Sequence, residues 1–307
     1  MAISYICPVS GLPLSLDNSN YYTTPDNRFS YPCISGIPIL LSDSQSLFCQ
    51  SDIINNYLNR ASGFNSSLQA IKSALPSISK NFVAHKLFSD IGFLLQKKLN
   101  PKVLIIGGGT KGAGISNLLK INSILVVSGD IFISEDTTVV FDAHNLPFAD
   151  SVFDCVIIQA VLEHVVDPVR CVSEAYRVLN TDGIIYSETP FMQQVHMGKY
   201  DFTRFTFLGH RRLFRSFEQI RAGMVAGPAT SLAWAIRYFL LSFFDNSAYH
   251  KCINVLCRFA LFPLKWFDYY LMSKKSSFMG ASGFYFLGSK AVAPIGDLEV
   301  QDFYIGT

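Results

Sequence analysis

Lys102-Val103-Leu104-Ile105-Ile106-Gly107-Gly108-Gly109-Thr110-Lys111-Gly112-Ala113-Gly114 is the stretch on which the fold of this chain turns. Its apolar, partly β-branched opening reads as a buried strand. The glycines make a turn, and a helical pattern follows through Ile115, Leu118 and Leu119. Strand, glycine turn and helix start form a cradle for a nucleotide-like ligand: glycines admit close backbone approach, and a helix N-terminus offers free N–H groups. A second strand, Ile124-Leu125-Val126-Val127, ends just before Asp130, an acid placed to take both hydroxyls of a ribose. A third, Thr138-Val139-Val140-Phe141, ends at Asp142-Ala143. A fourth, Phe153-Asp154-Cys155-Val156-Ile157-Ile158, ends at Gln159 and leads into Leu162-Glu163-His164. These strand ends deliver polar groups toward one crevice, where open α/β sheets bind ligands.

Two cofactors fit so far. Gly107, Gly109 and Gly112 satisfy G-x-G-x-x-G, and Asp130 lies about 20 residues on, as in a dinucleotide fingerprint. The later segment separates the two readings. Asp142-Ala143-His144-Asn145-Leu146-Pro147-Phe148-Ala149-Asp150-Ser151-Val152-Phe153-Asp154 resembles the D-A-x-x-L-P-F-x-D-x-x-F-D signature of class I S-adenosylmethionine (AdoMet) methyltransferases. Gln159-Ala160-Val161-Leu162-Glu163-His164-Val165 is similar to that family's motif after strand four. Arg177-Val178-Leu179-Asn180-Thr181-Asp182-Gly183 resembles its R-V-L-K-P-G-G turn, with Asn180, Thr181 and Asp182 in place of K-P-G. The resemblance spans roughly residues 100–220. It implies a three-layer, Rossmann-like α/β fold with a mostly parallel seven-stranded sheet, and AdoMet as cofactor. The implied cofactor contacts are Gly107, Gly108, Gly109, Asp130, Asp142, Ala143, Gln159 and Leu162, with Asp142 on the adenine amino group and the Ala143 N–H on the ring. Between Asp130 and Thr138 there is room only for a turn, so one flank of the nucleoside pocket is either thin or covered by another part of the chain.

The 307 residues suffice for one large domain with additions, or for two domains. Half are hydrophobic, and the mean hydropathy is +0.28, apolar for a soluble protein. A net charge of +2 gives no general pull toward nucleic acid. Seven scattered cysteines suggest a reducing compartment rather than a disulfide framework, hence the cytoplasm. No basic, apolar leader precedes the first strand-like run.

Residues 1–42 read as a small β unit resembling the zinc-ribbon-like module that often precedes methyltransferase domains and ends in Y-P-x-x-x-G-I-P-x-L-L, here Tyr31 to Leu41. Only Cys7 and Cys33 stand near, and Ser10 takes the place of another cysteine, so a metal-free unit is expected. Residues 43–100 read as a Ser- and Asn-rich helical linker. Its last part carries a stripe of Phe82, Leu87, Ile91, Leu94 and Leu95 that packs against the sheet. The methyltransferase domain occupies 101–307.

After the fifth strand, Pro190-Phe191-Met192-Gln193-Gln194-Val195-His196 and Asp201-Phe202-Thr203-Arg204-Phe205-Thr206 resemble P-F-x-Q-x-x-H and D-x-x-R-F-T of a methyltransferase subgroup found with polysaccharide biosynthesis. AdoMet chemistry needs alignment of the acceptor and, for a hydroxyl, a base; it does not require a metal. His196 is the first candidate base and His164 the second, because histidine titrates near neutrality. Either is also readable as a surface, capping or packing histidine. Asp201 and Arg204 either bind a polar acceptor or hold the loop by an ion pair. His85, His144, His210 and His250 show no metal spacing with one another. Residues 229–272 are apolar and aromatic but interrupted by Arg237, Arg258 and Lys265, too short to span a membrane. They read as a helical hairpin packed on the domain or in a homodimer, or as a surface lying peripherally on a membrane. The phenylalanine-rich run Phe284 to Gly288 reads as the last strand of the fold, inserted antiparallel. The expected activity is O-methylation of a sugar or lipid-linked glycan. A nicotinamide-dependent oxidoreductase and a non-catalytic binding module are the alternatives.

Overall fold

In strand β5 (Lys102–Ile106) successive side chains point to opposite faces of the sheet. Leu104 and Ile106 join one apolar core, Val103 and Ile105 another. Burial on both faces is why this run is apolar without alternation. The first core is closed by helix α4 (Pro168–Val178), which contributes Cys171, Val172, Ala175 and Val178. The second is closed by α2 (Ala84–Leu95) and the short α3 (Ile115–Leu119). The stripe expected before the first parallel strand is real: Ala84, Leu87, Phe88, Ile91 and Leu95 form the buried face of α2, while Phe82 precedes it. Helices on both faces of a central sheet make the three-layer α/β arrangement. The computed structural model describes residues 3–61 and 75–307, so positions 62–74 of the expected linker 43–100 lie outside the described residues.

Among the described residues the sheet has eleven strands, where seven were expected. Its centre follows the expected topology. β7 (Val139–Phe141), β6 (Leu125–Asp130), β5, β8 (Phe153–Gln159) and β9 (Leu179–Pro190) run parallel in that order. β11 (Gly283–Lys290) then inserts antiparallel between β9 and β10 (Phe217–Ala226), as read from the sequence. The additional strands are N-terminal: β1 (Ser15–Leu16), β2 (Tyr21–Thr23), β3 (Ser30–Ile34) and β4 (Ile37–Leu40). β4 pairs parallel with β7, Ile39 opposite Val140 and Leu40 opposite Phe141. Strands β1 to β4 thus continue the central sheet at an edge that would otherwise expose unpaired backbone groups. Cys7 is buried in the main core with its thiol 3.2 Å from the Tyr31 hydroxyl. Helix α1 (Gln50–Ala61) follows β4.

Helix α5 (Phe207–Leu213) precedes β10, and between β10 and β11 stand α6 (Pro228–Leu241), α7 (Ser247–Leu261), a 3-10 stretch Phe262–Phe267 and α8 (Asp268–Leu271). The fully buried Asp268 carboxylate ties the ends of this segment together. It accepts the N–H groups of Gly227, Ala229 and Thr230 and the Thr230 hydroxyl, satisfying the free donors at the start of α6. Phe239, Phe243, Leu256, Phe259 and Phe267 remain exposed along this segment. Among the described residues no helix is long and apolar enough to cross a membrane.

Candidate functional site

The C-terminal ends of β5, β6, β7 and β8 open onto one crevice of about 780 Å³. Gly107 has φ +76°, and a Cβ there would come 2.2 Å from Val161 Cγ2, so only glycine permits this turn. Gly109 donates its N–H to Asp130 Oδ2 at 2.8 Å, and a Cβ on Gly109 would sit 2.6 Å from that same oxygen. The other carboxylate oxygen accepts the Phe132 N–H at 3.1 Å. Burial raises the Asp130 pKa, opposed by these backbone donors. Ile131, Phe132, Phe141, Ala143 and Val161 give the crevice apolar walls. Ala160 turns the chain from β8 into the site with φ +55°, a left-handed conformation that costs a non-glycine residue about 1 kcal/mol or more.

The thin flank left by the short Asp130–Thr138 turn is covered from far away in sequence. Ser44 to Phe48 line the crevice, and the Phe48 ring meets Phe132 edge-on at 5.8 Å. The Ser46 hydroxyl donates to Asp142 Oδ2 at 2.5 Å. Asp142 Oδ1 accepts both the N–H and the ring Nδ1 of His144, at 2.9 and 2.5 Å. Burial alone would raise the Asp142 pKa, but His144 and Ser46 hold it below the ordinary carboxylate value. His144 Nε2 in turn accepts the Asp167 N–H at 3.1 Å. The Asp142 carboxylate is thereby aimed, with much of its acceptor capacity already used.

Gly107, Gly109, Asp130, Asp142 and Ala143 line the crevice; three other expected contacts do not. Gly108 sits over β6, where a Cβ would meet Ser128 Oγ at 2.1 Å. Leu162 is fully buried in the main core. Gln159 points to the opposite side, donating to Ala113 O and to the buried Glu188, which also accepts from Asn81. Strand alternation explains the last case: Ala160, one residue on, is the one at the crevice.

The candidate catalytic residues regroup as well. His164 lines the crevice; His196 does not, and its ring meets that of His164 edge-on at 4.8 Å between centroids. His164 Nδ1 lies 2.8 Å from Tyr200 O, so the proton is on Nδ1 and Nε2 keeps its lone pair. Burial lowers the His164 pKa. Asp201 and Arg204 form a two-pronged ion pair, with Arg204 Nη2 2.7 Å from Asp201 Oδ2. Arg204 also donates to Gln193 O and Gln194 O, and Asp201 accepts the His196 N–H at 2.9 Å. The pair ties the loop to itself rather than standing open to an acceptor. Burial would raise the Asp201 pKa, but Arg204 holds it down at about 2.

Sequence reasoning missed Glu163, although it quoted the residue within Leu162-Glu163-His164. Its side chain is 1% exposed, and neither carboxylate oxygen has a hydrogen-bond partner among the described residues. Burial pushes its pKa up to about 8. Ser46 was missed too, because nothing local to it marks a contact 96 residues away.

A nucleoside bearing a ribose and an adenine fits this arrangement: close backbone at Gly107 and Gly109, a held acid at Asp130, apolar walls, and Asp142 beside Ala143. The nicotinamide reading loses its literal motif, because Gly112 is not in the crevice and instead packs under Gln159. Residues 127–187 match the family model described as a methyltransferase domain, and they carry the strand ends that supply Asp130, Asp142, Ala143 and His164. No curated protein matches the chain significantly. Similar solved structures include coclaurine N-methyltransferase bound to N-methylheliamine and SAH, 12% identical over 67% of this chain and 72% of that one, with a TM-score of 0.44. The cyclase SpnF is 16% identical over 85% and 100%, at 0.42. Haemonchus contortus phosphoethanolamine N-methyltransferase 2 in complex with S-adenosyl-L-methionine is 16% identical over 66% and 52%, at 0.40. Scores this low set neither reaction nor acceptor for this chain. The family match and the crevice together define a methyltransferase domain. The chain is an AdoMet-dependent methyltransferase, and S-adenosyl-L-methionine is its cofactor.

Proposed function

We propose that the chain methylates an oxygen atom of a sugar or lipid-linked glycan. The observation that carries this reading is His164 Nε2, a lone pair held on the crevice wall by the Nδ1 bond to Tyr200. AdoMet, when bound, supplies a methyl group already activated on a sulfonium. What remains for the chain is to align a hydroxyl and handle its proton, worth about 10²–10⁴-fold for the proton alone. The cluster of His164, His196 and Glu163 is suited to that, and the loop of Pro190 to Thr206 carries the motifs that resemble a polysaccharide-associated subgroup. A lipid-linked acceptor is supported by what adjoins the loop. The Tyr238 hydroxyl on α6 donates to Val195 O at 2.9 Å, and the Trp234 ring lies 6.3 Å from that of His196. This attaches the loop to the helices whose aromatic side chains stay exposed, which also makes that face a candidate for peripheral membrane contact or a homodimer. A screen of glycans and lipid-linked sugars with labelled AdoMet tests the reading. His164→Ala is expected to keep AdoMet affinity and lose about 10²–10⁴-fold in turnover on the best acceptor. Labelling of nitrogen acceptors only, or full turnover by His164→Ala, would reject it.

A further inference from the structure

We propose that Glu163, His164 and His196 bind a divalent cation of the zinc class at the wall of the AdoMet crevice. One ligand atom from each residue lies within 4.8 Å of the others, and Glu163 Oε1 stands 3.7 Å from His164 Nε2. The independent pointer is Glu163 itself. A carboxylate with both oxygens buried and unpartnered is costly to keep, and a cation between it and two imidazoles removes that cost. The supporting shell is also in place. The Tyr200 carbonyl fixes the His164 proton on Nδ1 and turns Nε2 toward Glu163. His196 Nδ1 faces Asp201 Oδ2 at 3.4 Å, the carboxylate–histidine pairing that orients metal-bound imidazoles, and leaves Nε2 as its donor. The nearby Arg204 guanidinium is already matched by Asp201.

Donors about 2.0–2.2 Å from one ion stand about 3–3.5 Å apart, so the three must close by about an ångström. His196 can supply that movement, because its side chain is 28% exposed on a loop whereas Glu163 is locked in the core. Two imidazole nitrogens and one carboxylate oxygen suit zinc and its neighbours rather than calcium or magnesium. Such a set leaves a coordination position open, and His164 faces it to the crevice. An acceptor hydroxyl on the ion would be more acidic than a free one. That use of the open position rests on the methylation reading above, with the ion taking over the activation of the hydroxyl because a coordinated His164 Nε2 no longer has a free lone pair; the binding of the ion does not rest on it.

The test uses the full chain, stripped with chelator and titrated with Co(II), whose visible bands report nitrogen–oxygen coordination, followed by displacement with Zn(II). One Co(II) per chain is expected, displaced by zinc. Glu163→Gln and His196→Ala should each weaken Co(II) at least tenfold while retaining the wild-type Tm measured in chelator. Thiolate charge-transfer bands from Cys49 or Cys252, which are exposed, or equal affinity in both variants would overturn the proposal. So would absence of Co(II) binding. Calorimetry with S-adenosylhomocysteine on the stripped chain is run beside it. Cofactor binding without Co(II) sinks the ion and leaves the methyltransferase standing; Co(II) binding without cofactor does the reverse.

Discussion

Replacing Asp130 by alanine probes the crevice at its most informative point. The carboxylate sits at the end of β6, positioned by the N–H groups of Gly109 and Phe132, with its outer side on the crevice. If it takes the two ribose hydroxyls, its removal deletes hydrogen bonds to a charged group, about 1.5–3 kcal/mol in net terms. That converts to a rise in Kd of roughly 10–150-fold. The fold should suffer less. The two backbone donors border an open crevice and can turn to water, and the deleted carboxyl is one whose charged form burial disfavours. Calorimetry with S-adenosylhomocysteine measures the loss, and a thermal melt checks that the variant is folded. Asp130→Asn, which keeps the shape and one acceptor oxygen, should fall between the two. An Asp130→Ala variant with unchanged Tm and a Kd within twofold of wild type would refute the placement of the ribose.

Two further outcomes test the framework around the site. His210 is buried, and burial pushes its pKa down to about 3, against about 6.5 unfolded. The unfolded chain therefore binds the extra proton first, so this group's stability is complete above pH 6.5 and is lost as pH falls toward 3. Between pH 7 and 5 the loss is about 2 kcal/mol, and His210→Gln should flatten that slope in denaturant titrations; an unchanged slope means another group is responsible. Asp268→Ala strips the cap from α6 and leaves several buried donors unpaired, so a loss of about 2–4 kcal/mol is expected, read as a lower denaturation midpoint at unchanged m; a loss under about 0.5 kcal/mol would show that water replaces the carboxylate.

The amino-acid sequence determined the local part of this protein. β5, its glycine turn and the strands ending at Asp130, Asp142 and Gln159 were legible because each is a short apolar run closed by its own turn residues. The buried face of α2 was legible from its spacing, and the antiparallel β11 from its aromatic run together with the family resemblance. Tertiary structure alone decided what lies far apart in the chain. The pairing of β4 with β7 that extends the sheet to eleven strands depends on two edges meeting, and neither edge announces its partner. Ser46 reaches Asp142, and Asp268 reaches α6, across loops whose closure leaves no periodic trace. The same holds within the site. Residues 163, 164 and 196 are two adjacent positions and one loop position, and only the packing of the loop against the segment after β8 and against α6 makes them one group. Gln159 and Leu162 show the limit from the other side: a motif names residues, but strand alternation and core packing choose which of them face the crevice.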